Sequence, residues 1–325
     1  MKQLLAPLRE HPVVGAVAIA VALYFVMASM GYASAFSIRS MLVLAALLAV
    51  ASVGQTLVII IGGIDLSIPF VIGFANVVAA TLTGDGMPFW QVCLIVGTLA
   101  ILIGAVSGSL SAWLKIHPLI VTLGIGTIVQ GLVQLWTGGF PSGSAPAFVS
   151  QFVSIGGQIG PFGPIPVIPV PGLIPAVGLL MVAVTLLLAV TPLGRRLYAL
   201  GGNPTAAPYA LISPIAMWTI AFAISAFFAA VAGVLLLGFT GSAYGDVGQP
   251  YLFQTIAAVV VGGTSLMGGR GTYVGTVVGA IVLVQIRTIL IGQGLDEALI
   301  QAAFGAIIIV LVSLYGREPH VRNTI

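Results

Sequence analysis

Charge is scarce in this chain: ten basic and seven acidic residues among 325, or 5%. Ordinary soluble domains carry roughly 25%, and a soluble chain of this length would need far more polar surface around its core. Cysteine is nearly absent as well. Cys93 stands alone in an apolar stretch, which excludes an intrachain disulfide, a cysteine-built zinc site and a CxxC redox pair. It reads as a small buried hydrophobe. Lysine occurs only at Lys2 and Lys115, and no GxxxxGK[ST] phosphate loop exists. Any ATP used in this protein's work is therefore hydrolysed on another chain. His11, His117 and His320 sit at predicted membrane borders without partners at metal-ligand spacing. No metal site, catalytic constellation or bound cofactor is expected in this chain. The net charge of +3 is scattered, with no basic run, which excludes a nucleic-acid footprint.

What the chain has instead is apolar length. Hydrophobic residues make up 59% of it, in repeated runs of about twenty residues, enough to span a hydrocarbon core of roughly 30 Å. The fold class read from this is all-α: a polytopic membrane protein of about ten helices, one or more short or broken. The segments are 12–31, 41–61, 66–83, 90–114, 118–136, 171–190, 215–239, 254–267, 272–291 and 298–315. The run after Lys2 and Arg9 is too long for a signal h-region of roughly 7–15 residues and reads as a retained helix. Lys and Arg concentrate in cytoplasmic loops. With the N-terminus inside, Lys2, Arg9, Lys115, Arg195, Arg196, Arg270, Arg317 and Arg322 fall inside, and only Arg39 and Arg287 outside. The chain then divides into a cytoplasmic tail 1–11, an outer Gly/Pro-rich loop 137–170, a cytoplasmic loop 191–214 and a cytoplasmic tail 316–325. The outer loop, uncharged and apolar, is a candidate gate able to fold back on the helix ends. A short amphipathic helix fits near Ala147–Val153.

Glycine (42) and proline (19) are abundant, which suits closely packed membrane helices. Gly104 and Gly108 in one helix, and Gly271, Gly275 and Gly279 in another, stand four apart and make smooth strips for packing within the chain or between subunits. Gln55-Thr56 leads to Gly62-Gly63 much as Gln254-Thr255 leads to Gly262-Gly263, a match that fits a parallel internal repeat or chance. Gly268-Gly269-Arg270-Gly271 reads as a helix break. Asp65 is the acid of most interest, since intramembrane carboxylates mark function by default. Here it falls in a short turn, where Asp65 and Ser67 suit helix capping and Pro69 the first turn. The competing reading puts Asp65 and Ser67, with Asn76, Thr122 and Gln130, along the path of a permeating solute.

Four stretches carry a resemblance: GGIDLS at 62–67, HPLIVTLG at 117–124, TPLGRRLYALGGN at 191–203 and IAAVVVGGTSLMGGRGT at 256–272. In this order they resemble the ribose/xylose-type permeases of bacterial ABC importers, from about Leu42 to Tyr315. The resemblance implies a ten-helix permease in the bacterial inner membrane, multi-pass, with both termini cytoplasmic. It implies pairing with a second permease copy or paralogue, two ABC ATPase subunits carrying ATP and Mg, and a periplasmic solute-binding protein delivering a pentose- or hexose-like sugar. It also places ATPase coupling on Gly194, Arg195, Arg196, Tyr198, Gly201, Gly202, Asn203, Ala206 and Ala207. Pro208 departs from the family and interrupts a continuing helix, and Leu211 stands where glycine is common. The alternatives are an ion-coupled secondary transporter using Asp65 and a passive channel.

Overall fold

Helix starts and stops follow local chemistry. Ser34, Thr191, Ser213 and Thr272 each accept the backbone N–H three residues on, satisfying a free donor of the first turn. Proline occupies the first turn after His117, Thr191 and Ser213, where its missing N–H costs nothing. Gly138 and Gly241 end two helices in the left-handed region, with φ of 60° and 81°. A computed structural model describes residues 12–156 and 171–315. The expected tails 1–11 and 316–325, and residues 157–170 of the outer loop, lie outside the described residues.

The described residues form twelve α-helices: α1 Pro12–Ser29, α2 Ala35–Ile60, α3 Ile68–Gly84, α4 Phe89–Leu114, α5 Pro118–Thr137, α6 Ala147–Val153, α7 Leu173–Val190, α8 Pro192–Gly202, α9 Pro214–Thr240, α10 Tyr251–Val261, α11 Tyr273–Gly292 and α12 Glu297–Tyr315. No strand forms among the described residues, and a single bridge joins Ser144 to Ser242. Seven of the helices are long and apolar enough to cross a membrane. The count of about ten is thus exceeded by two short helices, α6 and α8, which have too few residues to span. α10, with 11 residues, is the broken segment.

α2 is the hub. Its most apolar stretch is 94% buried, against 11–56% in the other six long helices. α9, α11 and α10 pack around it, with α7 and α8 at one end. Two apolar clusters divide along its length. Met41 to Ala51 pack with α3, α4, α9 and α12, whereas Val53 to Ile61 pack with Val184, Leu188, Leu197, Leu200 and Phe222. Burying each such side chain removes apolar area worth about 25 cal/mol per Å² when it comes from water; against lipid the gain is packing contact.

The glycine strips serve packing inside the chain. A Cβ on Gly104 or Gly108 of α4 would collide with the Phe222 or Trp218 carbonyl of α9. Gly275 and Gly279 of α11 lie likewise against the Gly262 and Ala258 carbonyls of α10. Gly271 does not join this strip: α11 begins only at Tyr273, capped by Thr272, and Gly271 lies against the Thr264 side chain. Cys93 is also placed differently from the expectation, since it is exposed on α4 beside Phe89 and Phe148. At the end of the bundle away from α8, the described part of the outer loop folds back. Thr81 Oγ1 donates to the Ser142 carbonyl at 3.2 Å, and α6 packs under Gly238 of α9.

Candidate functional site

The connector between α2 and α3 is not the short end-of-bundle turn the sequence suggests. Gly62, at φ +84°, lets the chain leave α2, and its amide and that of Gly63 close the helix on Ile59 and Val58. The backbone then runs without helix to Ser67. Gly63 lies against Trp218, Ser225 adjoins the Asp65 carboxylate, and Ile72 packs on Gly233. At about 1.5 Å per residue, those α9 positions are about 6, 16 and 28 Å beyond Pro214. The connector therefore climbs back inside the bundle, and α3 starts part-way along it. Irregular backbone at such depth survives only where protein buries it or a path runs beside it, and interrupted helices of this kind mark transport sites.

Asp65 sits in this climb, 2% exposed. Its Oδ1 accepts from the Ser67 amide at 2.8 Å and the Ser67 hydroxyl at 2.6 Å. Ser67 therefore does not cap α3 with its side chain, contrary to the capping expectation, although Pro69 does fall in the first turn. Thr122 joins them: its hydroxyl accepts from the Leu66 amide at 3.1 Å and donates to the Pro118 carbonyl at 2.8 Å. Asp65 Oδ2 and Ser225 Oγ are both buried, and the Ser225 hydroxyl lies beside the Asp65 carboxylate without meeting strict hydrogen-bond geometry. Gln55 of α2 is buried with both amide atoms unpartnered, a polar position that the sequence marks only as part of the possible repeat.

The other two solute-path candidates stand elsewhere. Asn76 accepts from the Tyr244 amide at 2.9 Å and donates to the Gly233 carbonyl at 3.3 Å, fully buried. It is a bracket holding α3 to α9 and the segment after it. Gln130 donates to Asp246 at 2.9 Å, beside a cavity at the far end of the bundle. Asp246 lies in a 3-10 turn, Gly245–Gly248, whose backbone presses on Gly73 and on the Pro69 carbonyl. Nothing in the sequence pairs residue 246 with residue 130; only the fold does.

At the opposite end lies α8. Thr191 and Pro192 start it, and Gly194, Leu197, Leu200 and Gly201 form its buried face at helical spacing. Gly194 touches the Leu188 carbonyl and Gly201 the Ile60 carbonyl, which also accepts the Gly269 amide at 2.8 Å. Tyr198 donates to the Gly271 carbonyl at 2.7 Å. α8 thus rests on the end of α2 and on the glycine loop after α10. Arg195 donates to the Val190 carbonyl at 3.0 Å, a cation on a helix C-terminus. The candidate coupling residues divide by this geometry. Gly194, Gly201 and Ala207 are buried and Tyr198 half-buried, whereas Arg195, Arg196, Gly202, Asn203 and Ala206 face outward. Asn203 Oδ1 accepts the Ala206 amide at 2.9 Å. Pro208 ends helical continuation as expected, in a 3-10 turn over Ala207–Ala210. Tyr209 and Leu211 follow it, 90% and 95% exposed, which sequence reading did not single out.

The two Gly-Gly helix ends share a local geometry with an offset of one, of a kind common to many helix ends. Gly62 and Gly263 take the left-handed conformation, at +84° and +89°, and in each case the following amides close the helix the same way. Among the described residues no cluster of three or more His, Cys, Asp or Glu side chains forms.

Comparison with known proteins agrees in direction. Residues 37–313 match the family model described as branched-chain amino acid transport system / permease component. The ribose import permease protein RbsC of Haemophilus influenzae is 36% identical over 240 residues, covering 72% of this chain and 71% of its own. RbsC of Bacillus subtilis is 34% identical over 71% of this chain and 69% of its own. The autoinducer 2 import system permease protein LsrC of Shigella flexneri is 32% identical over 76% and 69%. No solved structure matches. A hub helix ringed by apolar spans, two interrupted helices and a match over most of the length leave one reading: the chain belongs to the permease-component family of branched-chain amino acid transport systems, and is a multi-pass membrane transport subunit rather than an enzyme.

Proposed function

We propose that this chain is the translocation subunit of an ATP-driven importer for a monosaccharide-class solute. Membership of the family implies work alongside an ATPase and a solute-binding protein in general. The observation that carries the reading is α8, a short helix seated on the ends of both interrupted elements through Gly201, Ile60, Gly269 and Tyr198. A push on its outward face moves the α2 end and the glycine loop together. The ATPase, with ATP and Mg, would dock there, and differential affinity for nucleotide would shift the chain between outward- and inward-open populations. A second permease copy or paralogue would complete the path, and a periplasmic binding protein would deliver the solute. In this reading ten helices occupy the bacterial inner membrane, α6 and α8 lie at its two faces, and both termini are cytoplasmic. The names of the relatives, import permeases for ribose and for autoinducer 2, support a sugar or another small polar solute as cargo.

Deleting residues 194–207 should abolish uptake while the protein still inserts; retained uptake would defeat the assignment of coupling to α8. A second reading, ion-coupled transport through Asp65, keeps one observation in its favour, a buried carboxylate with no cationic partner among its hydrogen bonds and Oδ2 outside strict hydrogen-bond geometry. Collapsing the ion gradient while ATP is held constant separates the two: importer uptake persists, ion-coupled uptake stops.

A further inference from the structure

Between α3, α5 and the turn after α9 lies a cavity of about 140 Å³ at the end of the bundle away from α8. Its size is below the roughly 300 Å³ of pockets for drug-sized ligands, so it suits a small solute. Its walls divide by chemistry. Phe70, Phe74 and Tyr244 supply aromatic faces, and Gln130, Gln134 and Asp246 supply planar polar groups. Gln130 Nε2 donates to Asp246 Oδ1 at 2.9 Å, which fixes the carboxylate's orientation. An ionised carboxylate accepts at two oxygens, and a side-chain amide both accepts and donates. Adjacent hydroxyls on a ring need such acceptors on one side, while the ring's C–H face suits an aromatic surface. The turn itself is built to stay in place: Gly245 and Gly248 press on α3, and Asn76 holds the Tyr244 amide.

We infer that this cavity is an entry subsite that receives a single monosaccharide, with Asp246 accepting its hydroxyls and Tyr244 and Phe74 facing its ring. The inference rests on the importer reading and adds to it a specificity element in the permease itself. Asp246 is exposed and its partner Gln130 half-buried, so the pair is reachable from outside without any helix moving. A hydrogen bond to a charged group is stronger than one between neutral groups, which favours hydroxylated solutes over apolar ones of the same size.

The test uses the full chain in proteoliposomes, carrying Cys93→Ser and Thr137→Cys and labelled by a small charged thiol reagent. Thr137 is a cavity wall position whose hydroxyl is already spent on the Val133 carbonyl. Millimolar D-ribose, D-xylose, D-glucose or D-galactose is added in turn, with L-leucine as the contrasting solute. At least one monosaccharide should slow labelling, and L-leucine should not. Adding Asp246→Ala should weaken that protection about tenfold or more, the change expected for losing one charge-assisted hydrogen bond. Tyr244→Ala, at a side chain 57% exposed, serves as a second variant whose folding is not in question. Protection that survives both substitutions, or that L-leucine matches, overturns the subsite. Uptake of the same four sugars is measured in cells expressing the chain with its own partners. Accumulation of one of them without any protection at position 137 sinks the subsite and leaves the importer reading standing. Accumulation of a solute outside the monosaccharide class, and of no sugar, sinks both.

Discussion

Leu211 holds a backbone conformation, φ +59°, that puts its Cβ close to the following carbonyl. The left-handed region costs a non-glycine residue roughly 1–2 kcal/mol, and at 95% exposure no packing of this chain offsets it. Leu211→Gly should therefore stabilise the detergent-solubilised protein by about 0–1.6 kcal/mol, read as a thermal midpoint that holds or rises slightly. Glycine's added freedom in the unfolded chain takes back roughly 0.4–1 kcal/mol. A clearly lower midpoint would show that Leu211 is not strained. Single residues were legible unevenly. The sequence shows that Asp65 is exceptional, and the structure agrees by burying it with one oxygen outside strict hydrogen-bond geometry. Asn76 looks equally apt for a solute, yet both its amide atoms are taken by backbone from sequence positions 168 and 157 residues away. No periodicity in one strip of sequence reports such partners.

Elements were read more securely than residues, because apolar length and capping chemistry are local. Pro118, Pro192 and Pro214 stand in first turns where their sequence context puts them. The climb of residues 61–67 was not legible, since an extended buried stretch and a surface turn share the same Gly-rich composition. Its depth depends on α9, more than 150 residues later. α8 supplies the prediction at this scale. Gly201 rests on the Ile60 carbonyl and the Gly269 amide, both backbone, so neither can rotate away from an added methyl. Gly201→Ala should lift α8 off these supports, at the roughly 1–3 kcal/mol typical of overpacking. The neighbouring Gly202 has open space at its Cβ position. Uptake should fall sharply in Gly201→Ala, with insertion unchanged, and stay near the parent level in Gly202→Ala. Equal uptake in the two variants would mean that the seating of α8 does not transmit motion.

For the whole molecule, the described residues leave a side that this chain does not cover. α5 packs mainly against α3, α4 and the turn at Gly245–Gly248, and it leaves Ile120, Leu123, Ile128, Leu132 and Leu135 exposed, from 46% to 80%. Lipid tails can cover such a face without any specific contact, since they are as apolar as leucine. A polar solute cannot cross against lipid, however, so a path along α5 and the connector needs a second protein wall. Tyr209 and Leu211 make a different demand at the α8 end, where aqueous solvent rather than lipid surrounds them in the proposed topology, and apolar groups there call for a protein partner. The two surfaces should therefore recruit different chains. Purifying the tagged protein from mild detergent and identifying its companions by mass spectrometry should recover both an ATPase and a second permease. Deleting residues 194–207 should remove the ATPase and keep the permease pair, because α5 is untouched. Loss of both companions together would show that the α8 end holds the pair as well. Recovery of the chain alone after cross-linking in intact membranes would shift the weight to Asp65 and ion coupling.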